Sequence, residues 1–342
     1  METGIDLGRL MAWMDEQGIG AGAIERAKLL AGGTQNLLFQ FERGGQCYVL
    51  RRPPLHLRKD SNDTMRREAR MLAALAGTAV PHPRLIAACP DETALGAAFY
   101  LMEGVDGFNA GNGLPPLHAN SELIRHRMGL ATVEGIASLG ALDYRGLGLD
   151  HFGRAENFLE RQVARWKGQL ASYSQFADWP GPGGIPGVER VAGWLDQHRP
   201  STFQPGIIHG DYQLTNVMFR HDGPELAAIV DWELTTIGDP LLDLGWLLAT
   251  WQDEAEGQQQ GLNIQPWRGF PTRQELVDHY RHRSHRDLSA IDWYAVLACY
   301  KLGLILEGTY ARACAGMATH AVGKRLHAHA IHLFERALRW IA

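Results

Sequence analysis

The stretch that decides the fold runs from Gly206 to Phe219 and reads GIIHGDYQLTNVMF. After a short polar break, Ile229–Glu233 follows with the letters IVDWE, and Gly238–Asp243 closes the region with GDPLLD. Two apolar runs in this region each carry acidic and amide side chains at their ends. We expect the runs to be buried and the polar groups to lie together in one site.

The spacing of these polar groups indicates a particular chemistry. Asn216 follows Asp211 by five positions, and Asp231 follows Asn216 by fifteen. Phosphoryl transfer uses one carboxylate to orient a hydroxyl, and an amide and a second carboxylate to hold Mg²⁺. The alternative is structural, because a lone His-x-Asp or Asp-Pro segment usually forms hydrogen bonds in a turn. A metal-hydrolase site is disfavoured, because no second histidine pair with suitable spacing lies in an apolar setting.

Composition sets the broad class. A chain of 342 residues predicts two domains, or two lobes that share a cleft. A net charge of −5 gives no electrostatic reason to expect nucleic acid or an anionic membrane as a partner. The sequence has no apolar run long enough to span a bilayer and no signal peptide at its start, so we expect a cytoplasmic protein. We expect it to be a monomer or a homodimer. The four scattered cysteines are typical of buried thiols.

The first hundred residues show strand patterns around one helix. Strands are predicted at 24–30, 37–42 and 46–51, and a helix at 63–76. The segment Gly32-Gly33 to Asn36 lies between the first two strands, where backbone N–H groups could approach a phosphate. Arg51 ends the third strand and Glu68 lies on the helix, as in the pair with which kinases position ATP phosphates. The alternatives are an ordinary turn and solvated surface charges.

The remainder is predicted to be mainly helical. The segment Glu103–Gly107 resembles the hinge between two kinase lobes. Helices are expected from Ser121 onward, at 157–174, at 188–199, from Thr272 with a capping box, and at 291–314 and 319–341. The polar segment 253–265 is interpreted either as a loop over the cleft or as a surface loop. Lys301 and Arg312 would either form structural salt bridges or meet an anionic substrate.

The motif Ile207-Ile-His209-Gly-Asp211-x-x-x-x-Asn216 resembles the catalytic loop of the aminoglycoside phosphotransferase and choline kinase superfamily. The greatest similarity is to the kinase-like domain associated with acyl-CoA dehydrogenases. Further matching segments follow in order along nearly the whole chain, and they are Gly32–Asn36, Tyr48–Pro54, Tyr100–Gly107, Asp231–Asp243, Trp293–Tyr294 and Lys301–Arg312.

This resemblance implies an α+β, two-lobe protein-kinase-like fold. Residues 1–103 would form a small antiparallel β-rich, nucleotide-binding N-lobe, and residues 104–342 a larger, mainly helical C-lobe. Asp211 would be the catalytic carboxylate, and Asn216 and Asp231 would bind Mg²⁺. His209, Asp239 and Asp243 would support the loop. The residues implied to bind ATP are Gly32, Gly33, Asn36, Arg51, Glu68, Glu103 and Val105.

The implied function is ATP- and Mg²⁺-dependent phosphoryl transfer to a hydroxyl group of a small molecule. The segment between Asp231 and Asp239 is too short for the activation segment on which peptide substrates dock. The resemblance favours a hydroxyacyl-CoA-like acceptor over an aminoglycoside. Arg51 departs from the lysine of most kinases, and the two cations are not equivalent. This departure motivates the alternative of a catalytically idle nucleotide-binding protein.

Overall fold

The computed structural model describes residues 5–30, 36–55, 57, 60–252 and 264–342. In the N-terminal part, a five-stranded antiparallel sheet has the strand order β1-β2-β3-β5-β4. Its strands are β1 (Glu25–Leu29), β2 (Leu37–Arg43), β3 (Gln46–Arg52), β4 (Leu85–Cys89) and β5 (Phe99–Glu103). Two helices accompany the sheet, α1 (Leu7–Glu16) and α2 (Ser61–Leu75).

The alternation of side chains along β3 sets the direction of its polar groups. Successive side chains on a strand point to opposite faces. Leu50 joins Phe39 and Phe41 in the apolar cluster that contains Leu10 of α1. Arg51 therefore faces the opposite side, where α2 places Glu68. The sheet thus directs one buried cation away from its apolar core and toward the rest of the chain.

The C-terminal part is mainly helical, with two small two-stranded sheets. The helices are α3 (Pro116–Ala119), α4 (Glu122–Gly140), α5 (Glu160–Ser172), α6 (Val188–Gln197), α7 (Leu241–Thr250), α8 (Arg273–Arg283), α9 (Ile291–Cys314) and α10 (His320–Trp340). The strands are β6 (Gly206–Ile208), β7 (Val217–Phe219), β8 (Leu226–Ile229) and β9 (Thr236–Gly238). β6 pairs with β9 and β7 pairs with β8, both antiparallel.

The core of the helical part forms around α7 and α9. Nearly every residue of α7 is buried. A Cβ atom at Gly245 of α7 would lie 2.5 Å from the backbone carbon of Tyr294 of α9, so the glycine permits this close approach. Leu244 and Leu297, both fully buried, belong to the same apolar cluster. The tight contact fixes the positions of residues on both helices that face the site described below.

The structure confirms the α+β fold and the main elements expected from the sequence. The helix predicted at 291–314 has those bounds in the structure, and the Thr272–Glu275 capping box is present. All four cysteines are free thiols, although only Cys89 and Cys299 are buried. No helix in the described ranges is long and apolar enough to cross a membrane. Gly32, Gly33 and residues 253–263 lie outside the described residues.

Candidate active site

The Asp211 loop (His209–Asn216) leaves strand β6 with a sharp change of direction at Gly210. Gly210 has a φ of +91°, which strains any side chain-bearing residue. A Cβ atom at this position would also lie 2.5 Å from the carbonyl oxygen of Leu234. The glycine therefore permits both the turn and the close passage of the Leu234 segment, and it brings Asp211 to the end of β6.

Asp243 fixes the start of this loop from the first turn of α7. Its two carboxylate oxygens accept hydrogen bonds from the backbone amides of His209 at 2.6 Å and Gly210 at 2.8 Å. Burial raises the pKa of the Asp243 carboxyl, whereas the two amides favour its charged form. Asp239 accepts hydrogen bonds from the Leu241 amide and the Tyr294 hydroxyl, so it braces the start of α7 rather than the loop itself.

His209 supports the loop as a neutral imidazole. Its Nε2 lies 2.9 Å from the carbonyl oxygen of Val230, and its Nδ1 accepts a hydrogen bond from the Asp211 amide at 3.4 Å. This pair of partners requires the proton on Nε2, because Nδ1 must remain an acceptor. Burial lowers the pKa of His209 to about 4. The histidine also packs against Tyr212 and Trp232, and it joins the loop to the residue before Asp231.

The neutral state of His209 predicts a pH dependence of stability. The folded pKa is lowered, so between its unfolded pKa and about pH 4 the unfolded chain binds a proton that the folded chain does not bind. We expect His209 to lower the free energy of unfolding by about 1.4 kcal/mol per pH unit as the pH falls through this window. Urea unfolding at several pH values gives the free energy of unfolding as a function of pH. This free energy should fall less steeply with falling pH in His209→Gln than in the unaltered protein. If the variant shows the same dependence of stability on pH, then His209 takes up its proton equally in the folded and the unfolded state.

Asp211 and Asn216 lie in direct contact. Oδ2 and the backbone carbonyl oxygen of Asp211 accept hydrogen bonds from Nδ2 of Asn216 at 2.8 and 2.7 Å. Oδ1 of Asp211 accepts another from Nε2 of Gln213 at 3.0 Å. Burial raises the pKa of Asp211, although the hydrogen bond from Asn216 opposes the shift. These contacts hold the carboxylate in one orientation.

Asp231 reaches the same site through the β7-β8 pair. The amide of Val230 donates a hydrogen bond to the Asn216 carbonyl at 2.9 Å, which places Asp231 beside Asn216. Asp231 has a φ of +66°, a left-handed conformation that aspartate tolerates better than most residues. The structure therefore brings together the three polar residues that the sequence places five and fifteen positions apart.

Arg51 links the β-sheet to this cluster. Its Nε lies 2.9 Å from Oε2 of Glu68, and its Nη2 lies 2.7 Å from Oδ1 of Asp231. Oε2 of Glu68 also accepts a hydrogen bond from the Tyr100 hydroxyl at 2.8 Å. Burial alone would lower the pKa of Arg51, but the neighbouring carboxylates raise it above its ordinary value. A planar guanidinium can meet both carboxylates at once, which a lysine ammonium cannot do in the same way.

Asn36 and the hinge complete the upper side of the cleft. Nδ2 of Asn36 donates a hydrogen bond to Oε2 of Glu233 at 3.0 Å. Along the hinge, the amides of Glu103 and Gly104 donate to the carbonyl oxygens of Arg84 and Cys47 within the sheet. Within the described part of the chain, the Val105 amide has no hydrogen-bond partner. Val105 is therefore a free donor at the position where an adenine base is expected.

The donor set at Asn216 and Asp231 fits Mg²⁺. Nδ2 of Asn216 is used by Asp211, which leaves its amide oxygen, and the side chain of Asp231 is 37% exposed, with its Oδ1 within ion-pair distance of Arg51. Among the described residues, no group of three or more His, Cys, Asp or Glu side chains is arranged to hold a metal ion. Mg²⁺ commonly uses one or two protein oxygens and completes its shell with phosphate and water. The site thus suits an ion that arrives with a nucleotide.

Two residues make contacts at the site that the sequence did not predict. Glu233 contacts both Asn36 and Arg51, and its only signal in the sequence is the Asp-x-Glu spacing. Lys301 donates a hydrogen bond to the Gly210 carbonyl at 3.1 Å, although it lies 91 positions away. The sequence favoured a structural salt bridge for Lys301, and the structure shows instead a backbone hydrogen bond beside Asp211. No local pattern predicts such a contact.

Comparisons with known proteins identify the family. The sequence model described as the phosphotransferase enzyme family (APH) matches residues 26–276. Acyl-CoA dehydrogenase family member 11 of Rattus norvegicus is 30% identical over 316 residues, which cover 90% of this chain and 39% of the relative. The chain therefore spans about two fifths of the length of that relative.

Solved structures agree with this assignment. A Ralstonia eutropha JMP134 protein assigned to the aminoglycoside phosphotransferases has a TM-score of 0.79 at 30% identity, covering 98% of this chain and 99% of its own. The ternary complex of aminoglycoside phosphotransferase APH(4)-Ia with ADP and hygromycin B has a TM-score of 0.62 at 14% identity, covering 97% and 98%, and shows the fold alone. The chain belongs to the phosphotransferase enzyme family and has its kinase-like fold.

Proposed function

We propose that this chain is an ATP- and Mg²⁺-dependent phosphotransferase that acts on a hydroxyl group of a small molecule. The observation that carries this proposal is the convergence of Asp211, Asn216 and Asp231 beneath the buried Arg51–Glu68 ion pair. In this proposal, residues 1–103 form the nucleotide-binding lobe and residues 104–342 the lobe with the acceptor site. We propose a cytoplasmic monomer or homodimer that binds neither nucleic acid nor membrane.

Each residue would have a separate role in the transfer. Asp211, held by Asn216 and Gln213, would orient the acceptor hydroxyl and accept its proton, since positioning contributes more than base strength in a loose transition state. Arg51 would hold the phosphates, with Glu68 fixing its orientation. Mg²⁺, when bound by Asn216 and Asp231, would neutralise charge on the phosphate oxygens. The hinge at Glu103 and Val105 and the segment from Gly32 to Asn36 would hold the nucleotide.

We favour a hydroxyacyl-CoA-like acceptor. The support comes from the curated relatives, which are named as acyl-CoA dehydrogenase family members and cover 90% of this chain. An aminoglycoside is the less favoured alternative. It is supported by the solved neighbour bound to ADP and hygromycin B, which at 14% identity shares only the fold.

A second function, from another class, is nucleotide binding without catalysis. The arginine at position 51 motivates it, because most kinases have lysine there. The contacts of Asp211, Asn216 and Asp231 argue against it, since an idle site has no need of an oriented carboxylate beside two oxygen donors for a metal. Measured turnover separates the two functions.

Nucleotide binding is tested by thermal unfolding with ATP, with and without Mg²⁺. A ligand at a hundred times its Kd stabilises the folded state by about 2.7 kcal/mol. We expect ATP with Mg²⁺ to raise the Tm by several degrees, and Asp231→Asn to lose the part that depends on Mg²⁺. Absence of any shift in the unaltered protein would refute nucleotide binding. A kinase assay across hydroxyacyl-CoAs, aminoglycosides, choline and sugars then tests the acceptor.

A further inference from the structure

A small cavity lies beside the Asp211 loop, between helices α5, α7 and α9. Its volume is about 180 Å³. Its walls are mainly apolar, and they include Phe158, Trp166, Leu242, Trp246, Leu297 and Ile305. The backbone of Gly210, the residue before Asp211, lines one side. A molecule in this cavity would therefore contact the residue that precedes the carboxylate that we propose to be catalytic.

Lys301 places a cation against this cavity. Its Nζ donates a hydrogen bond to the Gly210 carbonyl at 3.1 Å and lies 4.4 Å from the centre of the Trp246 ring. Burial lowers the pKa of Lys301 to about 8, although the carboxylates of Asp211 and Asp243 oppose this shift. A lysine ammonium has three donors, and one hydrogen bond to a carbonyl leaves two of them for a ligand.

Arg165 adds a second cation to the same cavity. It lines the cavity from α5 and is exposed, so it lies where the cavity opens to solvent. Among the described residues, no carboxylate forms an ion pair with it, and its guanidinium carbon lies 5.5 Å from the Trp166 ring centre. Arg165 is also near enough to Lys301 to lower the pKa of that lysine by repulsion. An anion between two cations that face one cavity offsets their mutual repulsion.

The carboxylates of Asp211 and Asp243 partly offset the charge of Lys301, but among the described residues neither forms an ion pair with Arg165. Asp243 is the one carboxylate that lines the cavity among the described residues. Both of its oxygens accept backbone hydrogen bonds, from His209 and Gly210. The charge of Asp243 is thus engaged within the loop, while the charge of Arg165 faces the cavity mouth.

The volume limits what the cavity can hold. At about 30 Å³ for each water in the liquid, 180 Å³ corresponds to about six water molecules. A space of this size accommodates a short chain. The combination of apolar walls, two cations and limited volume matches an aliphatic segment that carries an anionic group.

We propose that Arg165 and Lys301 determine acceptor specificity, by binding an acceptor that has a short apolar chain in this cavity and an anionic group at its mouth. The inference rests on the proposed function, because it places the acceptor hydroxyl at Asp211. The anion has two possible sources, a carboxylate on the acyl chain itself or a phosphate of an attached CoA. In either case the site repels a polycationic acceptor.

The test measures binding without phosphoryl transfer. Pentanoate and pentanoyl-CoA lack the hydroxyl and cannot be phosphorylated on the chain, so calorimetry reports only their affinity. We expect Arg165→Gln to weaken binding roughly tenfold, as for loss of one hydrogen bond to a charged group. Weakened pentanoate binding identifies the carboxylate as the anion. Weakened pentanoyl-CoA binding, with no binding of pentanoate, identifies a CoA phosphate.

Matched controls show whether the lost affinity depends on the position of Arg165 at the cavity or only on the net charge of the protein. Lys167→Gln removes one positive charge from the same helix but outside the cavity, where Lys167 pairs with Asp196, and should leave both affinities unchanged. Arg165→Lys should recover part of the lost affinity. The inference is overturned if Arg165→Gln binds both probes as tightly as the unaltered protein does. It is also overturned if the unaltered protein binds kanamycin more tightly than either probe. If probe binding depends on Arg165 but the protein phosphorylates none of the hydroxylated acceptors, only the proposed function is refuted.

Discussion

Replacing Asp211 by asparagine is expected to lower the rate of phosphoryl transfer by about 10²–10⁴-fold, the usual contribution of a positioned acid–base group. Asparagine has nearly the same shape, and its carbonyl oxygen can still accept a hydrogen bond from Asn216 or Gln213. It cannot accept the proton of the acceptor hydroxyl. We therefore expect kcat to fall while the folded structure is retained. The measurement is steady-state transfer of phosphate from ATP to the acceptor that the screen identifies.

Two comparisons make this result specific to Asp211. Thermal stabilisation by ATP with Mg²⁺ should persist in the variant, because Asn216 and Asp231 remain. Asp222→Asn makes the same chemical change at an exposed aspartate that pairs with Arg220, and should leave the rate unchanged. Full activity in Asp211→Asn would remove the catalytic role of Asp211 and favour nucleotide binding without catalysis.

Replacing Asp243 by alanine is expected to lower the free energy of unfolding by about 2–6 kcal/mol. Asp243 is only 1% exposed, and both its oxygens accept hydrogen bonds from backbone amides of the loop. Alanine would leave the buried amide of His209 and the partly buried amide of Gly210 without partners, at a cost of about 1–3 kcal/mol each. The loop that carries Asp211 would lose its anchor to α7. Urea unfolding measures the stability, and the transfer assay measures the accompanying loss of activity.

A graded control accompanies this variant. Asp243→Asn keeps one acceptor oxygen and should fall between alanine and the unaltered protein. Its amide group would face one of the two backbone donors, so we expect one hydrogen bond to survive. If Asp243→Ala and Asp243→Asn lower the free energy of unfolding by the same amount, the two backbone hydrogen bonds are not the source of the stability. A loss below about 1 kcal/mol in Asp243→Ala, the smallest cost of one unpaired buried amide, would contradict the anchoring role altogether.

Periodicity and spacing predicted much of the fold. The helix at 291–314 was predictable because its apolar residues extend over many turns, and α8 because the Thr272–Glu275 capping box begins it. The helix expected at 157–174 is shorter in the structure, where α5 covers Glu160–Ser172. Helix ends depend on local caps and neighbouring contacts, which a periodic pattern does not contain.

Some features of the candidate site could also be predicted from the sequence, and others could not. Asp211 and Asn216 lie five positions apart, so a loop motif was enough to predict that they share one site, and their hydrogen bond is a local contact within it. The Arg51–Glu68 pair could also be predicted from the sequence, because α2 follows β3 closely along the chain. The hydrogen bond between Asn36 and Glu233 joins residues 197 positions apart, and only the packing of the two parts creates it.

By itself, the sequence predicted the order of strands and helices, and its motif at Asp211, with Asn216 and Asp231, indicated phosphoryl-transfer chemistry. Only the tertiary structure decided what surrounds that chemistry. It placed Lys301 against Gly210, Arg165 at the mouth of the apolar cavity and Glu233 between Asn36 and Arg51. The reason is physical, because hydrogen-bonded motifs act over a few residues of chain, whereas a cavity is formed by the packing of helices that are distant in sequence.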